Sequence, residues 1–236
     1  MEAWSVTTWL SIISIMIAAY LLGSIPSAVW IGKKYYGIDI REHGSKNAGT
    51  TNMLRVLGKK AALPVFVFDY FKGFCAVILT SLMRYDDAIS NSNIITLRII
   101  ATAFVVLGHI FPIFAGFKGG KGVATLLGAG TGIYAPILLL SFGVWCVVFA
   151  IWHYVSLASM IAGCSYPLFV IIFSTMTYDD AAPFGNIPFI IFSWAVAVLL
   201  IWTHRNNISR LKDGTESKIY LWGAPKEEEN KENTNN

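Results

Sequence analysis

The chain has 236 residues; 55 % are hydrophobic, 14 % are charged and the net charge is +4. A soluble domain carries about one-quarter charged residues. The composition therefore excludes a soluble globular enzyme and a disordered chain, and leaves a polytopic helical membrane protein.

The apolar residues come in long runs, without the ten-residue alternation of a membrane barrel. The first run, Trp4 to Ile31, is too long for a signal h-region and lacks a small-residue cleavage site, so it reads as a true helix. A polar stretch, Gly32 to Lys60, precedes a second span, Ala61 to Met83. An acidic loop, Arg84 to Asn93, leads to a third span, Ile94 to Gly116, and then to the basic loop Phe117 to Gly122. Val123 to Ile151 would make one helix about 43 Å long, too long for a 30 Å core without tilt. Gly128, Gly130, Gly132 and Pro136 interrupt it. The pattern predicts a short helix, Val123 to Gly130, and a full span, Tyr134 to Trp152. The last two spans are Ser159 to Tyr178 and Ile187 to Thr203.

The expectation is an all-α, polytopic integral membrane protein with seven transmembrane helices, one of them short. Residues 1–220 form one domain, and 221–236 form a polar, disordered cytoplasmic tail. The positive charges support this count. Seven Lys and Arg lie in 32–60, two in 117–122 and six after Thr203, which is 15 of the chain's 18. Seven segments put all three regions on one side, so the positive-inside rule places the N-terminus outside and the C-terminus in the cytoplasm. Asp86, Asp87, Asp179 and Asp180 then face outward. Cys75, Cys146 and Cys164 fall in apolar segments at no metal-ligand spacing and read as inert packing residues.

Two loops carry candidate chemistry. The stretch from Arg41 to Arg55 is dense in small hydroxyl and amide side chains, with Gly44 and Gly49 allowing tight turns. Exposed N–H groups, hydroxyls and an Arg are what a phosphate needs, although an ordinary connecting loop has the same composition. In Phe117 to Gly122, consecutive glycines could aim backbone N–H groups at an anion, with Lys118 and Lys121 adding charge at a helix start. The competing role is a two-lysine membrane anchor. A Walker A loop is excluded, because glycine follows Lys121.

The histidines differ in promise. His109 precedes Phe111-Pro112 and suits a helix-kink hydrogen bond. His153 reads as a capping or interfacial residue. His204, before Arg205-Asn206-Asn207, lies beside the basic loops. No histidine pair has metal-binding spacing, and no Asp stands five residues after any histidine, which excludes the HxxxxD acyltransferase motif. Asp69 and Lys72 stand three apart within a span and can neutralise each other. Ser156 and Ser159 occupy one helix face, where they cap a helix or line a polar pocket.

Gly23-Ser24-Ile25-Pro26, Asp39 to Ser45, and Asn47 to Asn52 with Arg55 together resemble one family closely. So do Gly108 to Pro112, Gly119 to Thr125, and His204 to Ile208 with Arg210, Leu211, Gly214 and Glu216. That family is the bacterial membrane acyl-phosphate:glycerol-3-phosphate acyltransferases of the PlsY type. The resemblance implies a multi-pass inner-membrane enzyme that moves an acyl group from acyl phosphate to the sn-1 hydroxyl of glycerol 3-phosphate. Its products are lysophosphatidic acid and orthophosphate, and it uses no cofactor and no metal. The implied partners are the two substrates, the lipid bilayer and the enzyme that forms acyl phosphate, with no nucleic acid.

Taken with the loop chemistry, the resemblance nominates Ser45, Arg55, Lys121, His204 and Asn207 as catalytic. It nominates Asn47, Gly49, Thr50, Thr51, Asn52, Lys118, Gly119, Gly120, Gly122, Ser156, Ser159 and Glu216 as substrate-binding. Lys46 stands where the family often has Gly, and Thr50 where Ala is common. A transporter for a small organic phosphate is the competing function. It should show an inverted repeat and midplane polar residues, whereas these polar residues gather at one membrane edge.

The charge count makes the orientation testable. Single cysteines from Asn91→Cys and Gly185→Cys should react with an impermeant maleimide on intact cells, and Lys118→Cys should not. Labelling of Lys118→Cys from outside would break the seven-span topology.

Overall fold

The computed structural model describes residues 6–85, 91–176 and 187–220. Asp86, Asp87, Asp179, Asp180 and the tail 221–236 lie outside the described residues, and with them the expectations placed there. Among the described residues the fold is helical throughout: α1 (Val6–Gly23), α2 (Ser27–Tyr36), α3 (Thr50–Leu57), α4 (Lys59–Leu79), α5 (Asn91–Ile110), α6 (Val123–Trp152), α7 (Val155–Met176), α8 (Ile187–Thr203) and α9 (Arg205–Lys212). Short 3-10 turns occur at Ile40–Glu42, Thr80–Tyr85 and Ile113–Ala115. In hydrocarbon every backbone group needs an internal partner, which long apolar helices provide.

Five described segments are long and apolar enough to cross a membrane, and a sixth appears if α8 and α9, bent by 56°, count as one span. The sequence reading differs from this in three places. The first run is two helices, because Pro26 lacks the N–H that would carry α1 onward. The stretch from Gly32 to Lys60 is not one loop, since it holds the end of α2, the Ile40–Glu42 turn, all of α3 and the start of α4. The long apolar segment breaks at Tyr134 (φ −158°, ψ 99°), where the sequence reading began its full span, but the short helix before it runs on past Gly130. In a straight helix residues eight apart are separated by about 12 Å. Here a Cβ on Gly130 would lie 3.0 Å from Leu138 Cδ1, so the chain bends sharply between them. Residues 123–133 alone span about 16 Å, half of a bilayer core.

The main buried core joins α1, α4, α5, α6, α7 and α8, with Met16, Val77, Val105, Ile137 and Phe189 among its residues. A second cluster, including Val29, Ile40, Met53 and Val65, fastens α2 and α3 to α4 at the end of the bundle that carries the basic loops. The outer surface is apolar: Trp9, Ile13, Phe68, Phe71, Leu139 and Ile191 are all exposed, as lipid-facing side chains should be. Cys75, Cys146 and Cys164 are exposed too. They belong to this outer surface and are not core packing, as the sequence reading had them.

Small residues allow the closest helix contact. A Cβ on Gly73 would lie 2.1 Å from the Thr125 carbonyl oxygen, and one on Gly128 would lie 1.9 Å from that of Tyr70. Helix association in lipid relies on such close backbone approach. Gly128→Ala must therefore push α6 away from α4. Overpacking of this kind costs about 1–3 kcal/mol, so the variant should show a lower thermal midpoint in detergent than wild type. An unchanged midpoint would refute the close contact.

Candidate active site

The first loop is held by side chains that bond to its own backbone. Asp39 accepts from Arg41 Nε (2.9 Å) and Nη2 (2.7 Å) and pairs with Lys33 (3.1 Å). The hydrogen bond from Arg41 holds the Asp39 carboxyl well below the usual carboxylate range. Arg41 Nη1 also donates to the Ala115 carbonyl (2.7 Å), tying this loop to the second basic one. Asn52 is buried. It accepts from the Ser45 N–H (2.8 Å) and donates to the Ile40 and His43 carbonyls (3.0 Å each). Its side-chain amide thus builds the loop, and its backbone N–H bonds to the Gly49 carbonyl. Lys46 adopts φ +58°, a left-handed conformation that glycine takes without penalty.

At the end of this loop Gly49 opens α3 in extended conformation. Its carbonyl accepts from the amides of Asn52 and Met53. The amides of Thr50 and Thr51 stand ahead of those bonds, at the positive end of the helix dipole. The buried Thr50 Oγ1 has no hydrogen-bond partner. One turn on, Arg55 is half-buried and its Nε is also unpartnered. Burial lowers the Arg55 pKa, Glu216 opposes this, and Arg210 adds to it.

The second loop corrects the sequence reading. The N–H groups of Gly119 and Gly120 donate to the Ile110 and His109 carbonyls (3.1 Å each), closing the last turn of α5. They do not converge on an anion. A Cβ on Gly119 would meet the His109 carbonyl oxygen at 2.0 Å, so this glycine is required by close packing. Lys118 is exposed and lies outside the cavity. Lys121 instead turns inward and donates to Asn207 Oδ1. Burial brings its pKa down to about 8; Glu216 raises it, and Arg210 and Arg55 lower it further.

The third element is the elbow between α8 and α9. His204, 3 % exposed, directs Nδ1 at the Leu200 carbonyl (2.8 Å). Nδ1 must then carry the proton, which leaves the Nε2 lone pair free. After α9 the chain turns at Gly214, and the amides of Thr215 and Glu216 bond to the Arg210 carbonyl (2.8 and 3.1 Å). Glu216 is thereby carried back into the site. Its Oε1 accepts from Ser156 Oγ (2.8 Å) and Asn207 Nδ2 (2.7 Å), and its Oε2 from Arg210 Nε (2.6 Å). Burial would raise its pKa, but the hydrogen bonds from Asn207, Arg210 and Ser156 outweigh burial and hold it below the ordinary value. Ser159 is engaged elsewhere: it donates to the Val155 carbonyl (2.7 Å) and accepts from Trp145 Nε1 (3.2 Å).

These groups surround a cavity of about 680 Å³. Ser45, Asn47, Gly49, Thr50, Thr51, Asn52 and Arg55 line one polar end, with Lys121, Gly122, Ser156, Ser159, His204, Asn207 and Glu216. Gly119 and Gly120 lie outside it, with Lys118. The remainder is mostly apolar, walled by residues such as Leu126, Ile133, Leu138, Trp145 and Phe192, with Asp69, Thr102, His109 and Ser141 as polar members. Leu63, Phe66 and Phe142 belong to both the wall and the exposed outer surface, so the cavity opens sideways.

Sequence reasoning left Arg210 out of the site. Its signal was a cation six residues before Glu216 with Gly214 between them. His43 is exposed and contacts only its own turn, through Nδ1 and the Asp39 carbonyl (3.1 Å). His153 ends α6 at φ +60° and accepts from the Ile219 amide (2.9 Å), which anchors the returning C-terminal segment. Asp69 and Lys72 do neutralise each other (2.8 Å, both buried). His109 makes no kink hydrogen bond: its Nδ1 is unpartnered and lies 3.7 Å from Asp69 Oδ1. Among the described residues no three His, Cys, Asp or Glu side chains gather as a metal site.

The sequence model of the family described as glycerol-3-phosphate acyltransferase matches residues 13–214. The chain is 40 % identical over 225 residues to a glycerol-3-phosphate acyltransferase of Chlorobaculum parvum, covering 89 % of this chain and 97 % of that one. It is 41 % identical over 221 residues to the protein of that name from Streptococcus pneumoniae, covering 89 % and 94 %. Its structure matches the crystal structure of PlsY (YgiH), an integral membrane glycerol 3-phosphate acyltransferase, in its glycerol 3-phosphate form. The TM-score is 0.73 at 36 % identity, over 89 % of this chain and 96 % of that one. The lysophosphatidic acid form of the same protein gives 0.72 at 37 %, with the same coverage.

The left-handed residue in the first loop can be probed directly. A non-glycine residue in that conformation costs about 1–2 kcal/mol. Lys46→Gly should leave the thermal midpoint in detergent unchanged or raise it, and the β-branched Lys46→Val should lower it. Equal losses in both variants would show that the turn is not populated.

Proposed function

The chain belongs to the glycerol-3-phosphate acyltransferase family, and on that footing we propose that it transfers the acyl group of an acyl phosphate to the sn-1 hydroxyl of glycerol 3-phosphate. The products are lysophosphatidic acid and orthophosphate. The observation that carries this reading is the junction of a cationic, amide-rich end with an apolar cavity open to the outer surface. Such a cavity suits an amphiphile whose head is a phosphate and whose tail enters from the bilayer.

The residue roles follow from the geometry. The α3 N-terminus, Ser45, Thr50 and Arg55 bind one phosphate, and Lys121 with Arg210 faces the other. Asn207 and Ser156 act through Glu216, which orients them and partly balances the cations. The apolar walls hold the acyl chain with its carbonyl carbon at the polar end. Glycerol 3-phosphate, bound by its phosphate, presents the sn-1 oxygen to that carbon. The new C–O bond forms as the bond from the acyl carbon to the phosphate oxygen breaks, and the electron pair leaves with orthophosphate. The hydroxyl proton has two acceptors within the site, Nε2 of His204 and an oxygen of the departing phosphate. An acyl phosphate is already activated, so positioning and charge stabilisation suffice without a covalent intermediate. Placing the basic loops at the cytoplasmic face of the inner membrane, with the N-terminus outside, puts the site where glycerol 3-phosphate and the acyl-phosphate-forming enzyme are found.

Purified protein in detergent, given palmitoyl phosphate and glycerol 3-phosphate without metal, should release lysophosphatidic acid. Palmitoyl-CoA should give essentially none, because its bulky head cannot reach these short loops fully. Arg55→Lys should retain no more than a tenth of kcat/KM, since lysine lacks the bidentate fork. Comparable rates with the thioester would overturn the donor assignment. No product from either donor, with glycerol 3-phosphate uptake into liposomes, would favour the transporter.

A further inference from the structure

A buried polar cluster sits where α2, α4 and α5 meet, and its Asp69 and His109 form part of the cavity wall. Asp69, 1 % exposed, accepts from Ser27 Oγ (2.8 Å) and pairs with Lys72 (2.8 Å). Lys72 also donates to the Ile25 carbonyl (3.1 Å), which the break before Pro26 has freed from helical bonding. The His109 imidazole, 6 % exposed, faces Asp69 across 3.7 Å. Its other edge meets the second loop. A Cβ on Gly120 would lie 2.2 Å from His109 Nε2 and 2.9 Å from the carbonyl oxygen of Ala48. Gly120 is therefore held between the imidazole on one side and the first loop on the other. Lys121 is the next residue.

We propose that His109, packed beside Asp69, is a positioning residue: its ring sets the separation of the Asn47–Asn52 turn from the loop that carries Lys121. The inference rests on the acyltransferase reading and names the support its phosphate site needs. Burying an ion pair with an imidazole in a membrane helix bundle is costly. An apolar pair would fill the same volume at lower cost. The cluster supplies orientation that an apolar pair lacks. Lys72 and Ser27 fix the carboxylate, the carboxylate faces Nδ1, and the flat ring bears on Gly120, which has no side chain to keep it away. The loop is pinned from its other end as well, through Arg41 and the Ala115 carbonyl (2.7 Å). A small shift of Gly120 would move Lys121 relative to Arg55 and the α3 N-terminus, and both phosphates would lose their common frame.

The test uses full-length protein in detergent with two readouts: initial rates with palmitoyl phosphate, and the glycerol 3-phosphate concentration that half-saturates its shift of the thermal midpoint. His109→Ala should raise that concentration and KM for glycerol 3-phosphate at least tenfold. His109→Gln, whose amide reaches the position of Nε2, should recover most of the loss. Gly120→Ala should also weaken binding. Adding His109→Ala to Gly120→Ala should then improve binding over Gly120→Ala alone, because the ring that the new methyl strikes is gone. A His109→Ala protein with a lower midpoint but unchanged half-saturation would mark a merely structural role and overturn the proposal. Multiplicative losses in the double variant would do the same, and this comparison decides even if His109→Ala alone folds poorly. Wild-type protein that binds glycerol 3-phosphate but forms no lysophosphatidic acid would overturn the acyltransferase reading instead, and it leaves the binding comparison intact.

Discussion

Arg55, Lys121 and Arg210 gather half-buried at the edge of an apolar bundle, close enough that Arg210 disfavours the charge on both Arg55 and Lys121. That repulsion is the constraint on which the site's architecture depends. Like charges in a partly dry setting repel strongly, so the cluster needs an anion. Glu216 supplies one negative charge, and every hydrogen bond it accepts comes from another member of the site: Ser156, Asn207 and Arg210. One carboxylate does not balance three cations. The remaining positive charge is what a phosphate dianion would neutralise. The pKa of Lys121 is depressed chiefly by burial, and Arg210 and Arg55 add to that against the pull of Glu216.

Gathering so many polar groups at one end requires the helices to stop there. α3 begins and ends at glycines, α6 starts after Gly122 and ends at a left-handed His153, and α8 bends by 56° into α9 at His204. Each break releases backbone groups that a bilayer will not solvate. The freed groups are taken up locally. Gly119 and Gly120 serve the end of α5, the amides after Gly214 serve Arg210, and Ile219 serves His153. Lys72 serves the carbonyl left at Ile25. The loops that hold the candidate site are thus also the caps of the bundle, which makes them stiff where a flexible loop would let two bound phosphates drift apart.

The spans were legible from hydropathy because a bilayer imposes length and apolarity on any crossing segment. Ile187 to Thr203 fell where the sequence put it. The internal breaks were less legible. α3 is short and polar on one face, so its eight residues read as loop, whereas the glycines and Pro136 did mark the bend at Tyr134. At the site, residue types pointed to the right neighbourhoods and missed their uses. Gly119 and Gly120 looked like anion ligands because glycine permits an amide nest. It equally permits close packing, and sequence does not separate the two. Asn52 was nominated with the amides of its turn, and the structure adds that its side chain holds the first loop together. Arg210 was passed over because its partnership with Glu216 depends on a turn at Gly214 that only coordinates reveal.

The same comparison changes how anion recognition is assigned along the chain. If a glycine nest were the principal donor, affinity would depend on the backbone of residues 119–122. With the amides of Gly119 and Gly120 bonded to α5, the proposed recognition shifts to side chains and to the start of α3: Lys121, Arg55, Arg210 and the amides of Thr50 and Thr51. Side-chain cations act over longer distances than amides, but they hold geometry only if something holds them. Asn207 restrains Lys121, Glu216 restrains Arg210, and the packing around Gly120 restrains the backbone from which Lys121 projects. In this arrangement charge provides the attraction and buried polar contacts provide the aim. Under the proposed function, the positioning contacts of Glu216, Asn52 and His109 are therefore as necessary to a phosphate's placement as the cations that attract it.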